Sequence, residues 1–454
     1  MKYAQVKGEL PGILSRELLS NDAVAASFGS LLPSVIERAE GALILDIDGN
    51  QFIDLAGGVG AMNVGHSHPL IVKAITEAAQ KFTHTDFTVV PYASFIRLAQ
   101  ELCRRAPGTS PKKACFFNSG TEAVEHAIHI AKKATKKRAV ICFEGAFHGR
   151  TFMSLSLTSK INPYKAGLGP FAPDIYRTPY PYVYRWPGST PTTPDQVAAE
   201  AFSLFEKLFV TQVSIDDVAA VIIEPIQGEA GFIVPPAAFL HQLNDFCKSH
   251  GILLIADEVQ TGYGRTGRFL ASEYFGIQPD IITLGKSIAA GMPLSAIVGS
   301  ADMMDAAGPG AIGGTFVGNP VSCAAALEVL NIYDQENLGE RALGVGKLLT
   351  DRLNAFRERY ELVGDVRGVG AMVAMELVRD RETKEPADRE TKEIIRRCQQ
   401  KGVILFKAGI YSNVIRFLSS LNILKEQLSE ALDILEEVLS EVDAEVRSRY
   451  YAAK

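Results

Sequence analysis

The chain has no apolar run long enough to cross a bilayer: stretches such as AAVII and GILLIA end after five or six residues, where a spanning helix needs about 20. The opening MKYAQVKGELPG lacks the apolar core of a secretory signal. Positive charge is not in excess. The net charge is −6, which does not fit a basic footprint for nucleic acid. Cys103, Cys115, Cys142, Cys247, Cys323 and Cys398 form neither a C-x-x-C pair nor a disulfide framework, so a reduced, cytoplasmic chain is expected. His126 and His129 stand three apart without a second ligand cluster, and no metal site is expected. No internal repeat is visible. A membrane span, a nucleic-acid partner and a disulfide-stapled secreted fold are thereby set aside.

What remains is a globular composition, 47% apolar and 22% charged over 454 residues, enough chain for roughly two or three domains. Apolar runs at KACFF, AVICF (139–143), AAVIIEP (219–225), GILLIAD (251–257) and DIITL (280–284) alternate with helix-sized segments. One such segment, SGTEAVEHAIHIAKKA, sets Ala123, Ala127, Ile130, Ala131 and Ala134 along one helical face. Buried strands separated by helices predict an α/β fold around a mainly parallel sheet. PGSTPTTPDQ, around Gly188, reads as a surface loop. Beyond GGTFVGNP the texture changes: a helical stretch from Val321 to about Tyr360 precedes DVRGVGAMVAMEL, KGVILF and a last helical run, predicting a smaller α+β domain.

The stretch DIITLGKSIAAG (280–291) poses the chemical question. Gly-Lys-Ser could close a phosphate-binding P-loop, but the glycine required five positions earlier is Asp280, an anion. GYGRTG (262–267) matches a dinucleotide fingerprint. Its loop carries Arg265 and Arg268, and the acidic residue due about 20 positions on is missing. The third reading makes Lys286 a nucleophilic amine. It follows an apolar strand, among small uncharged residues, where desolvation favours the neutral amine that attacks an aldehyde.

Pyridoxal phosphate would add further demands, and each has a candidate. A carboxylate must keep the ring nitrogen protonated; Asp257 ends the strand GILLIAD, at the edge where open α/β sheets bind ligands. Backbone amides must hold the phosphate, and Ser119, Gly120 and Thr121 lie between a strand and a helix. Phe147 and Val259 are apolar residues beside polar loop positions, suited to clasp a flat ring. A solvated lysine, a helix N-cap and a packed aromatic would explain these residues one at a time; their order on one β/α chain favours the cofactor.

NVGHSHP, NSGTEAVEHAI, FHGRT, EPIQGEAG, ADEVQTGYGRTG, TLGKSIAAGMPLSA, GGTFVGNP and DVRGVGAM together resemble the class III pyridoxal-phosphate aminotransferases of fold type I, from about Gly41 to Leu418. The resemblance implies a large domain at 61–314 with a seven-stranded, mainly parallel sheet. A small α+β domain would join residues 1–60 to 315–454. It implies Lys286 as the Schiff-base lysine, Asp257 as partner of the pyridinium nitrogen and Gln260 on the ring hydroxyl. Ser119, Gly120 and Thr121 would form the phosphate cup, and Phe147 and Val259 the ring-stacking pair. His148 and Glu224 would support the cofactor. Thr315 would reach the phosphate of a neighbouring subunit's cofactor, hence a homodimer with sites at the interface, in some members a dimer of dimers.

Within the family, FHGRTFMSLSLTSKINPYKAGLGP and YSNVIRFL are most similar to 4-aminobutyrate aminotransferases, with Val59 at a small apolar position of the substrate site. The expected reaction moves an amino group from an ω-amino acid to 2-oxoglutarate. Arg150 would hold the carboxylate remote from the reacting carbon, and Arg416 the adjacent carboxylate of glutamate. Glu229 would pair with Arg416 when no second carboxylate is present, since a buried charge left alone costs several kcal/mol. Racemisation, or transamination of ornithine or 5-aminovalerate, stays open on the same scaffold.

Overall fold

The computed structural model describes residues 2–20, 23–187 and 193–452. The chain divides into two compact units, Pro69–Ala342 and a second built from Met1–His68 with Leu343–Lys454.

The larger unit is organised by seven strands: β1 (Lys112–Phe117), β2 (Ala139–Phe143), β3 (Ile175–Thr178), β4 (Val218–Ile223), β5 (Leu253–Asp257), β6 (Ile281–Leu284) and β7 (Ser295–Ser300). Across the sheet their order is β1-β7-β6-β5-β4-β2-β3. Strands β3, β2, β4, β5 and β6 pair in parallel. Only β7 is reversed, antiparallel to both β6 and β1. Every residue of β2, β4 and β6 is buried, which is why these strands read as unbroken apolar runs rather than as alternation.

Helix α1 (Gly120–Thr135) packs on this sheet. Its start is a reciprocal capping box: the Ser119 hydroxyl accepts from the Glu122 N–H, while the Glu122 carboxylate accepts from the Ser119 N–H. The buried face is Ala123, Val124, Ala127, Ile128, Ile130 and Ala131, with Ala134 only half-buried. Alanines let the helix axis approach the sheet, and Ile130, Ile222, Ile255, Ile281 and Ile297 close one contiguous core. Each such isoleucine contributes about 1.5–3 kcal/mol by leaving water.

In the second unit, strands Ile36–Glu40, Leu43–Asp46 and Gln51–Asp54 form a sheet that the late strand Val403–Ile404 completes. The two terminal segments therefore share one unit. A second sheet joins Val363–Val369, Met372–Asp380, Val414–Phe417 and Phe406–Ala408. Helices Asp388–Gln400 and Lys425–Ala452 pack together on this unit.

Three expectations are corrected. The units separate at 68/69 and 342/343 rather than at 60/61 and 314/315. Helix Pro320–Gln335 packs against Pro69–Lys81 and Ala93–Arg105 and stays with the large unit. The helical stretch 321–360 is two helices, Pro320–Gln335 and Leu338–Arg359, broken where Asn337 takes a left-handed φ of 50°. Of the loop around Gly188, residues 188–192 lie outside the described residues. Its last part is already helical: Thr193 caps helix Pro194–Thr211, with proline at the first turn. No disulfide links the six cysteines. Among the described residues, no helix is long and apolar enough to cross a membrane.

Candidate active site

Five strands of the large unit deliver their carboxyl ends to one edge of the sheet, where ligands of open α/β folds bind. β1 runs out into Ser119, β2 into the 144–150 loop, and β4 into Glu224; β5 ends on Asp257, and β6 leads through Gly285 to Lys286. Ser119, Gly120, Thr121, Phe147, His148, Arg150, Glu224, Glu229, Asp257, Val259, Gln260 and Lys286 line a single cavity of about 280 Å³. Twelve of the residues expected from sequence thus meet in one place.

Asp257 is buried, and its carboxylate is held on three sides. The Thr283 hydroxyl donates to Oδ1 at 3.0 Å and the Val259 N–H at 3.2 Å, and His148 Nδ1 lies 2.7 Å from Oδ2. Such donors fix the carboxylate's orientation. His148 is itself set in place: its N–H donates to the Thr158 hydroxyl at 3.1 Å, and its imidazole is fully buried.

Glu224 is a second buried carboxyl. Its oxygens accept from the Phe147 N–H and the Gly228 N–H, each at 3.0 Å. One side chain therefore joins the loop after β2 to the loop that carries Glu229. Burial pushes its pKa up to about 7, against the opposing pull of His148 and of the two amides, while Asp257 nearby pushes the same way as burial.

The glycines here are requirements of space. A Cβ on Gly120 would lie 2.9 Å from Val259 Cγ1, and one on Gly285 3.2 Å from the same atom. The valine side chain is thus clasped between two bare backbones beside the lysine. Gly149 has a φ of +124°, and a Cβ there would lie 2.2 Å from Thr121 Oγ1. Lys286 adopts a left-handed φ of 46° at the head of a short 3-10 turn (Lys286–Ala289), a conformation that costs a non-glycine residue about 1–3 kcal/mol. Strain of this kind, held on a half-buried lysine at the cavity wall, belongs with a positioned functional group.

Arg150 follows Gly149 and is exposed at the cavity. Its guanidinium lies 5.1 Å from the Phe147 ring centroid and 4.8 Å from that of Tyr164.

These residues fit pyridoxal phosphate. A buried, hydrogen-bonded carboxylate ends the central strand, an amine stands on the adjacent strand's turn, and the free amides of the α1 N-terminus present positive dipole to an anion. Gly120 keeps that amide end accessible beside Val259, where a side chain would overlap.

Three expected residues are not among those lining the cavity. Thr315 is exposed in the 314–317 turn of the large unit. Val59 and Arg416 belong to the other unit. There Val59 has a left-handed φ of 60°. Arg416 is fully buried on strand Val414–Phe417, its guanidinium 5.0 Å from the Phe406 ring centroid. His126, which is not a ligand candidate, stacks on Phe117 with centroids 4.1 Å apart. Sequence reasoning overlooked Gly149, Thr283 and Tyr164. A lone threonine within the otherwise apolar IITL was the available signal for Thr283; Tyr164 offered none.

Residues 24–439 match the model of the family Aminotransferase class-III. The chain is 47% identical over 404 residues to a probable 4-aminobutyrate aminotransferase of Bacillus subtilis, covering 89% of this chain and 92% of that one. It is 44% identical over 420 residues to the 5-aminovalerate aminotransferase DavT of Pseudomonas aeruginosa, covering 92% and 96%. Among solved structures it superposes with a TM-score of 0.88 on the omega transaminase from Pseudomonas jessenii in complex with PMP, at 28% identity over 96% of this chain and 99% of that one. A sheet edge built around a lysine, a buried aspartate and an anion-ready helix start, inside a chain matched almost end to end, leads to one conclusion: this protein belongs to the class-III aminotransferases, fold type I enzymes dependent on pyridoxal phosphate.

Proposed function

We propose that this aminotransferase moves the amino group of 4-aminobutyrate to 2-oxoglutarate, giving succinate semialdehyde and glutamate in two alternating half-reactions. The observation that carries the reading is Arg150: a guanidinium fixed at the wall of the cavity that holds Lys286, suited to a carboxylate remote from the reacting amine. The name of the Bacillus subtilis relative supports it.

Bound through Lys286, pyridoxal phosphate supplies an electron-poor ring that stabilises negative charge on the substrate carbon. Asp257, steadied by Thr283, the Val259 amide and His148, holds a proton at the ring nitrogen. Ser119, Gly120 and Thr121 take the phosphate at the α1 N-terminus, and Phe147 and Val259 flank the ring. Gln260 serves the ring hydroxyl. The Lys286 amine moves the proton from the substrate carbon that bears nitrogen, acting as general base and then as acid. Glu224 ties the Phe147 loop to the Glu229 loop, and Arg416 is our candidate for the second carboxylate of glutamate. Val59 shapes the substrate site. We further propose a cytoplasmic homodimer in which Thr315 serves the partner's cofactor.

The name of the Pseudomonas aeruginosa relative supports a second reading, 5-aminovalerate as donor. One methylene separates the two substrates, a difference that an apolar pocket discriminates by about 10- to 200-fold. Comparison of kcat/KM for both donors with 2-oxoglutarate decides between them. A preference for 5-aminovalerate, or racemisation of an amino acid without an oxo-acid acceptor, would displace the first reading. Lys286→Ala is expected to lose covalent cofactor and turnover together; retained catalysis would remove the lysine from its role.

A further inference from the structure

Residues 159–172 follow helix Phe152–Leu157 as a mostly exposed segment, and within 161–170 only Tyr164 and Lys165 turn inward. Lys165 is the anchor. Its ammonium donates to the Thr158 carbonyl at 3.0 Å and lies 4.6 Å from the Phe171 ring centroid. Arg177 donates to the carbonyls of Ser156, Leu157 and Thr158 at 3.1, 2.7 and 3.2 Å. Two cations thus close the carboxyl end of that helix. At its other end the Glu125 carboxylate accepts from the Thr151 hydroxyl and from the Met153 and Ser154 amides. The helix directly after Arg150 is fastened at both ends.

The anchored segment brings Tyr164 onto the functional arginine. Its ring centroid lies 5.1 Å from that of Phe147 at 59°, and the Arg150 guanidinium is within 5.1 Å of one ring and 4.8 Å of the other. Both distances fall inside the range of cation–π attraction. Phe147 is already committed to the cavity. Tyr164 does not line it, yet it supplies the second aromatic wall of the arginine.

We propose that Tyr164 is a positioning residue for carboxylate recognition: its ring presets the Arg150 guanidinium against Phe147, so that the long side chain is ordered before substrate arrives. This rests on the assignment of Arg150 to the remote carboxylate. An unordered arginine must lose rotamer freedom on binding; a preset one binds without that loss. The effect falls on affinity for a carboxylate rather than on the proton transfers at Lys286.

The test uses holoenzyme and butanoate, a carboxylate of matching chain length without an amine, with binding followed by calorimetry. Tyr164→Leu is expected to raise the butanoate Kd and the KM for 4-aminobutyrate together, by about 2- to 5-fold, the scale of one exposed cation–π contact. kcat should change less than KM. Tyr164→Phe, which keeps the ring, should restore both constants to within about twofold of the parent. The proposal is overturned if Tyr164→Leu binds butanoate as the parent does, or if Tyr164→Phe loses as much as Tyr164→Leu. It is overturned equally if kcat falls while Kd holds. Arg150→Gln separates the two layers: if it too binds butanoate like the parent, the arginine assignment fails. If it weakens binding and Tyr164→Leu does not, only the tyrosine's role fails.

Discussion

Glu224 offers a quantitative check on the electrostatics of the site. Its carboxyl is drawn from an ordinary 4.5 up to about 7, chiefly because burial penalises the charged form. That displacement, about 2.5 pH units at 1.36 kcal/mol each, amounts to about 3 kcal/mol. The folded state keeps the proton over a range where the unfolded chain has released it. Stability from this group is therefore complete below about pH 4.5 and is lost as pH rises to about 7. In Glu224→Gln the effect vanishes. The amide retains one acceptor for the Phe147 and Gly228 amides and loses the other, a deficit of about 1–3 kcal/mol that does not vary with pH. Urea unfolding of cofactor-free protein should show the parent's advantage over Glu224→Gln shrinking by about 3 kcal/mol from pH 4.5 to pH 7, then levelling. An advantage that grows with pH would refute the reasoning, since it would mean that the two amide donors outweigh burial and the folded carboxyl is the stronger acid.

Other substitutions probe separate parts of the site. Gly149→Ala combines a positive φ with overlap on Thr121 and should destabilise the protein by about 2–5 kcal/mol, measured by denaturant midpoint, with reduced cofactor content. Asp257→Asn leaves the shape but removes the charge that holds the ring-nitrogen proton; kcat should fall about 10²- to 10³-fold in steady-state assays, with the protein still folded. Arg416→Ala should slow the glutamate half-reaction at least about tenfold more than the 4-aminobutyrate half-reaction in single-turnover experiments. Equal losses would argue against a role confined to the second carboxylate.

Much of the sheet was legible because its strands are buried on both faces. AVICF coincides with β2, and the other four apolar runs differ from β1, β4, β5 and β6 by only one or two residues at their ends. β3 and β7 escaped notice for physical reasons. IYRT is a short edge strand, mostly half-buried, and SAIVGS is diluted by small residues and follows the lysine turn. The break at Asn337 was hidden because neither glycine nor proline marks it; asparagine tolerates the left-handed conformation without announcing it. Site residues at strand ends could be named from the strand–loop–helix order alone. Thr283 and Tyr164 could not, since each matters through a neighbour across the sheet or across a loop: Asp257 for one, Arg150 for the other.

The reversal of β7 has its own consequence for the lysine. Parallel neighbours must be joined by a crossover of a dozen or more residues, whereas β6 and β7 are joined by the ten residues 285–294. Lys286 therefore rides on a hairpin with both of its roots in the same sheet, and the first residue of the returning strand, Ser295, donates to the Ser119 carbonyl at 2.6 Å. A mount tied down on either side has little travel of its own. Whatever reach the amine needs during turnover is left to the four-carbon stem of the side chain, a crane arm on a fixed base.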